Sequence, residues 1–190
     1  MDEPAAHRVA RRNSLLVATP VIDDENFERT VVYLFEHGPE GSVGVVLNRP
    51  TEVAVADVLG GWASAVAKPG VLFSGGPVSA GSVLGLAKAS GALPEELFTE
   101  LEWPVGAIDI TSEPDLVTGQ LEAVRLFSGY AGWGPGQLQA ELGIGAWWVF
   151  DVVAADLFDA DPGELWYRVL RRQGAPYAVY GFAPDDPTFN

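Results

Sequence analysis

The chain has 190 residues, 48% hydrophobic and 19% charged, which suits one domain with a substantial core and excludes a largely disordered polymer. Its formal net charge is −15 and it has no cysteine, so disulfides, thiol nucleophiles and zinc–thiolate sites are excluded. No apolar run approaches the roughly 20 residues of a membrane-spanning helix, so no membrane partner is expected.

Residues 1–13 are polar and basic, lack periodicity and read as a loose N-terminal tail, with one domain following over 14–190. The run 15–22 follows Arg11 and Arg12 as a signal peptide's apolar part would. It is short, contains Pro20 and runs into Asp23-Asp24-Glu25, so it reads as a first strand. Between residues 30 and 49, "TVVYLFEH" and "SVGVVLNR" flank Gly38-Pro39-Glu40-Gly41, a proline–glycine spacing that predicts a hairpin with a type I turn. The first of these strands is apolar on both faces: Val32 and Leu34 on one, Val31, Tyr33 and Phe35 on the other. That pattern predicts a central strand covered on both sides.

Val55, Val58 and Leu59 form a short helical stripe that stops at Gly60-Gly61. The segments 70–78, 82–89, 105–110, 123–130 and 145–153 read as further strands, the last being the most apolar. A terminal helix begins at the N-cap candidate Asp161, with Pro162 in its first position and Glu164 at capping-box spacing. Its stripe is Leu165, Trp166, Val169 and Leu170; Arg171 and Arg172 occupy its last turn and Gly174 stops it. Strands outnumber helices and do not alternate with them, which predicts an α+β fold.

The motif search returns mostly absences. There is no G-x-S-x-G nucleophile elbow, no phosphate loop with its lysine, and no H-E-x-x-H zinc helix. Gly132, Gly134 and Gly136 lack the last glycine of a dinucleotide fingerprint. His7 falls in the tail and His37 stands alone beside the hairpin turn, so no metal or cofactor is expected.

Two constellations remain. In Asn48-Arg49-Pro50, proline holds Arg49 extended, and Arg49 either pairs with carboxylates or awaits an anion. In "FSGYAGWGPGQLQAEL", residues 127–142, a strand gives way to glycines, with Gly134 as the N-cap candidate and Pro135 opening a helix. Here Gly129, Gly132 and Gly134 either supply positive φ under the rings of Tyr130 and Trp133, or leave backbone donors to seat a small anion. In the second case Arg49 would be the countercharge of a seat at the Gly136 nitrogen.

Five blocks, "ATPVIDDENFERTVVYLFEH", "GSVGVVLNRP", "SGGPV", "FSGYAGWGPGQLQAEL" and "AWWVFDV", occur in the order seen in the AlgH/YqgE-like family of largely uncharacterised bacterial proteins, and the chain resembles that family from about residue 15 to 174. The resemblance implies a single compact α+β domain, with a mixed, strongly curled sheet approaching a barrel and a few flanking helices. It implies no established reaction, although some members are labelled transcriptional regulators. Many relatives follow "GGPV" with Arg-Gly-Phe and a histidine; here Ser79-Ala80-Gly81 follows, so a site built on that arginine or histidine is not expected.

The blocks shared with the family suggest a ligand-binding set: Arg29, Asn48, Arg49, Gly75, Gly76, Gly129, Tyr130, Gly132, Trp133 and Gly136. Three functions stay open. The preferred one is a cytoplasmic ligand-binding or regulatory protein that acts through protein contacts or a small anionic ligand. The second is an enzyme using Asp23, Asp24 or Glu28 beside Arg29. The third is a transcriptional regulator; direct nucleic-acid binding is disfavoured, because residues 20–165 hold 22 acidic side chains against 5 basic ones.

Overall fold

The computed structural model describes residues 9–182. Ten strands, mostly consecutive in sequence, are interrupted by a few short helices. In chain order they are β1 (Ser14–Ala18), β2 (Val31–Gly38), β3 (Gly41–Val46), β4 (Pro50–Ala54), α1 (Val55–Val58), β5 (Val71–Ser74), β6 (Val78–Ala89), β7 (Phe98–Glu102) and β8 (Val105–Ile108). Then follow β9 (Leu121–Trp133), α2 (Gln137–Gly143), β10 (Trp147–Asp151), α3 (Ala154–Leu157) and α4 (Leu165–Gln173). The main order is β10-β1-β2-β3-β9-β6-β8-β7, every neighbour antiparallel. β5 adds a parallel pairing to β9 and carries β4, so the sheet is mixed.

The sheet curls until its ends approach. Just before β1, Arg12 Nη2 donates to the Glu100 carbonyl at 3.3 Å and Asn13 Nδ2 to the Leu101 carbonyl at 3.2 Å. Both acceptors lie on β7, at the far end of the order. This side-chain seam makes the sheet approach a barrel, as expected. The loose tail predicted over 1–13 lies partly outside the described residues. Within them, Ala10 is buried and Asn13 also accepts the Tyr33 hydroxyl at 2.8 Å, so the packed chain begins earlier than its composition suggests.

β2 is covered on both faces. Val31 and Tyr33 enter the inner core with Phe73, Phe127, Leu165 and Trp166, while Val32 and Leu34 enter an outer core with Trp133, Leu138 and Trp147. α4 lays its predicted stripe over the inner core, and all four stripe residues are buried. A 3-10 turn, Pro162–Glu164, precedes it with Asp161 at the N-cap position, though no side chain caps it. The arginines of its last turn find carboxylates: Arg172 grips buried Asp156 through two bonds of 2.9 and 2.7 Å, and Arg171 lies 3.5 Å from Glu164. No helix among the described residues is long and apolar enough to cross a membrane.

The segment expected to leave its strand at residue 130 is strand through Trp133. Gly129, at φ 71, is the reason. Before it, Phe127 faces the inner core and Leu126 the outer side; after it, Tyr130 faces the inner core while Ala131 and Trp133 face outward. A left-handed residue thus shifts the pleat by one, and the pairing of β9 with β6 changes register at the same place. Gly132 does not adopt positive φ, nor does Gly134. Gly132 is extended opposite Val43, so the strained backbone anticipated there is absent.

Candidate functional site

The predicted residues separate into three groups. The first is a glycine joint. β5 meets β9 where Gly75 N donates to the Ser128 carbonyl at 2.9 Å, and Val46 N donates to the Gly75 carbonyl at 2.9 Å. A Cβ on Gly75 would lie 2.3 Å from the Gly129 oxygen, and one on Gly76 (φ 146) 2.3 Å from the Tyr130 carbonyl carbon. A Cβ on Gly129 would lie 2.5 Å from the Gly76 oxygen. Two backbones therefore cross where no side chain fits, and the three glycines exist for that crossing.

The second group surrounds Trp133. Its indole N–H and that of Trp147 both donate to Glu141 Oε2, at 2.9 and 2.8 Å, and Phe27 packs against both rings. Nearby, Gly136 at φ 75 precedes α2. Gln137 Oε1 accepts from Gly134 N at 3.0 Å, and Gln137 N donates to the Gly134 carbonyl at 3.1 Å, so the turn satisfies its own groups. His37 joins this end through Ser42 Oγ at 2.7 Å and Gln139 at 3.3 Å. Ser42 pairs with Trp133, at the start of β3, while Arg49 lies beyond the other end. Ser42 to Val46 alone spans roughly 13 Å at the rise of a strand. The cleft that Arg49 lines includes neither Gly136 nor another residue of its turn.

The third group is a cleft of about 320 Å³ containing Arg29, Asn48 and Arg49. Asn48 is buried and staples two segments: its Oδ1 accepts from Val31 N at 2.9 Å and its Nδ2 donates to the Arg29 carbonyl at 2.8 Å. Arg29 sits at φ 51, at the end of a turn in which Glu28 N and Phe27 N donate to the Asp24 carbonyl at 2.7 and 2.9 Å. A non-glycine residue held there costs of order 1–3 kcal/mol, so the surroundings dictate its place. Arg29 Nη1 donates to the Tyr167 hydroxyl at 2.9 Å. Arg49 Nη2 donates to the Glu28 carbonyl, a main-chain partner rather than a carboxylate. Burial holds the Arg49 guanidinium below its ordinary pKa, with Glu28 opposing the shift.

The opposite wall is Asp161, Gly163, Glu164, Trp166 and Tyr167, from the turn that starts α4. Nothing near residues 29 or 49 in sequence announces this wall: Tyr167 is 138 positions from Arg29, and only the docking of α4 joins them. The cleft holds two guanidiniums, two carboxylates and a phenol, and its lining includes no serine, threonine, cysteine or histidine. Such a set can orient a ligand by charge and hydrogen bonding, and leaves only the carboxylates and the phenol as groups for a covalent step. Of the carboxylates expected near Arg29, Asp24 caps its own turn, accepting from Asn26 N at 2.8 Å.

Arg125 was legible only as one charge among few. The structure buries it fully, stacked 4.1 Å from the Phe73 ring centroid, with Nη2 donating to the Lys68 and Asp159 carbonyls at 3.0 and 2.8 Å. Burial pulls its pKa down to about 10, against the pull of Asp159. Its signal was an arginine inside the apolar run "AVRLF".

A family model described as AlgH-like matches residues 15–178. A UPF0301 protein of Streptomyces avermitilis is 48% identical, with 93% of each chain covered, and one of Thermobifida fusca is 43% identical, with 96% of this chain and 97% of the other covered. The crystal structure of a Corynebacterium diphtheriae protein superposes with a TM-score of 0.87 at 29% identity, covering 93% of this chain and 94% of that one. The solution structure of the AlgH protein from Pseudomonas aeruginosa gives 0.68 at 29% identity, covering 98% and 100%. The chain belongs to the AlgH-like family.

Proposed function

We propose that this AlgH-like protein is a cytoplasmic ligand-binding regulator, and that its ligand is a small molecule with an anionic group held in the Arg29–Arg49 cleft. The observation that carries this reading is the convergence of Arg29, Asn48 and Arg49, from two separate turns, on one cleft walled by α4. The two guanidiniums suit an anionic group. Asp161 and Glu164 on the opposite wall suit a ligand that also carries an amino or hydroxyl donor, and they select against a simple polyanion. Without a serine, threonine, cysteine or histidine in the lining, binding is favoured over catalysis by a nucleophile–base pair. The absence of cysteine accords with the cytoplasm.

The test is a thermal-shift screen of small carboxylates, phosphates and amino acids against the full chain and Arg49→Gln. A ligand at about 100 times its Kd adds about 2.7 kcal/mol to stability. Arg49→Gln is expected to keep its unliganded midpoint and lose the ligand-induced shift. A variant that loses stability but keeps the shift makes Arg49 structural and removes the proposal.

A further inference from the structure

The described chain ends at Phe182, beside α4, the helix that also walls the Arg29–Arg49 cleft. A 3-10 turn, Tyr177–Phe182, leads to this point. Gly181 packs so closely on α4 that a Cβ would lie 2.8 Å from both the Tyr167 carbonyl oxygen and Arg171 Cγ. The Arg171 guanidinium stands 5.7 Å from the centroid of the Phe182 ring. The same Tyr167 reaches into the cleft, where its hydroxyl accepts from Arg29 Nη1 at 2.9 Å. One tyrosine therefore touches both the exit of the chain and the cleft.

Residues 183–190 carry Asp185 and Asp186 and no lysine or arginine. These aspartates stand three and four positions beyond Phe182, a reach of up to about 10–14 Å for an extended chain. The neighbouring guanidiniums are not equivalent. Arg168, Arg171 and Arg172 each face a carboxylate, that of Asp159, Glu164 and Asp156 respectively. Arg49 instead donates to the Glu28 main-chain carbonyl, and burial disfavours its charged form. A carboxylate beside it would offset that burial.

We infer that residues 183–190 fold back over the Arg29–Arg49 cleft, with the Asp185 and Asp186 carboxylates at its guanidiniums, as a tethered competitor of any anionic ligand. The inference rests on the reading of the cleft as an anion site. A segment joined to the cleft wall meets it at a local concentration of order millimolar, so even a weak contact is populated. Asp161 and Glu164 across the cleft oppose the two aspartates and keep the contact weak enough for a ligand to displace.

The chain has no cysteine, so Thr188→Cys takes a single nitroxide label. Paramagnetic broadening of the Arg29, Arg49 and Gly163 amide signals is expected in the full chain, with the reduced label as reference. It should be lost when Asp185→Asn and Asp186→Asn are combined, and kept by Asp185→Glu with Asp186→Glu. It should also weaken at about 1 M salt, where the Debye length falls to about 3 Å. Broadening that is absent, or that survives the asparagine pair, overturns the inference. The thermal-shift screen of carboxylates and phosphates, run on the full chain and on the asparagine pair, separates this inference from the reading it rests on. Aspartate-dependent broadening supports the folded-back segment whether or not any compound shifts a midpoint. A compound that shifts both chains equally shows an open cleft and overturns it.

Discussion

Truncating Trp166 measures how firmly α4 is fastened to the sheet, and with it one wall of the cleft. The ring is 4% exposed, packs in the inner core, lies edge-on to Tyr167 at 5.0 Å, and donates Nε1–H to the Ala18 carbonyl at 2.9 Å. Burying about 200 Å² of aromatic surface at about 25 cal/mol/Å² is worth about 5 kcal/mol. Truncation series for buried tryptophan give about 3–5 kcal/mol, so Trp166→Ala is expected in that range. Trp166→Phe keeps most of the ring but leaves the Ala18 carbonyl without its indole donor, an expected cost of about 1–3 kcal/mol. For a chain of this size each kcal/mol moves the midpoint by about 2–4 °C, so the alanine variant should melt about 6–20 °C lower and the phenylalanine variant between it and wild type. Urea denaturation followed by circular dichroism checks both values, and an unchanged slope would show that compactness is retained. An unmoved midpoint for Trp166→Ala would show α4 to be peripheral, and the cleft would lose its fixed wall.

Other outcomes are as specific. Gly76→Ala should destabilise severely, because its Cβ would sit 2.3 Å from backbone at φ 146; Gly132→Ala, whose Cβ meets nothing closer than 3.4 Å, should leave the urea midpoint nearly unchanged. Tyr33 should ionise only at about pH 12, because burial first and the Glu102 carboxylate second disfavour its phenolate, with Arg12 opposing; absorbance titration checks this. The sign follows: folded Tyr33 keeps its proton where the unfolded phenol, at about 10, has lost it, so its contribution is whole below pH 10 and fades as pH rises towards 12. Duplex DNA should bind no tighter than about 10⁻⁴ M at physiological salt, with or without residues 1–13; salt-sensitive nanomolar binding by gel shift would refute the charge argument.

The strands that read clearly were those whose two faces are both buried. In β2 the side chains on each face fill a different core, so the apolar pattern was continuous and strong. β7 escaped notice because "FTELE" has only Phe98 buried, at an end of the sheet order where half its surroundings are solvent. α1 was legible from its stripe and its glycine stop, whereas α3, four residues long, has no capping side chain or period to betray it. The end of β9 was misplaced for a sharper reason. Glycine in a strand reads as a break, yet Gly129 turns the pleat over and lets the strand continue into a second core.

The same distinction divides the candidate site. Gly75, Gly76 and Gly129 stand in the blocks shared with the family, and their conformations serve a crossing of two backbones. Asn48 bonds backbone across 17 and 19 positions rather than within its own turn. That long-range staple brings Arg29 and Arg49 to one place. Local sequence can mark a residue as polar and hemmed in by proline; it cannot say which distant backbone needs a partner. Structural glycines and a cleft can thus share the same motif blocks without sharing a purpose. The joint fixes where Arg49 leaves the sheet, since Ser74 N donates to the Arg49 carbonyl at 2.8 Å one residue before Gly75. Loosening the joint should therefore disturb the cleft through its backbone, whereas neutralising Arg49 should disturb only what the cleft holds.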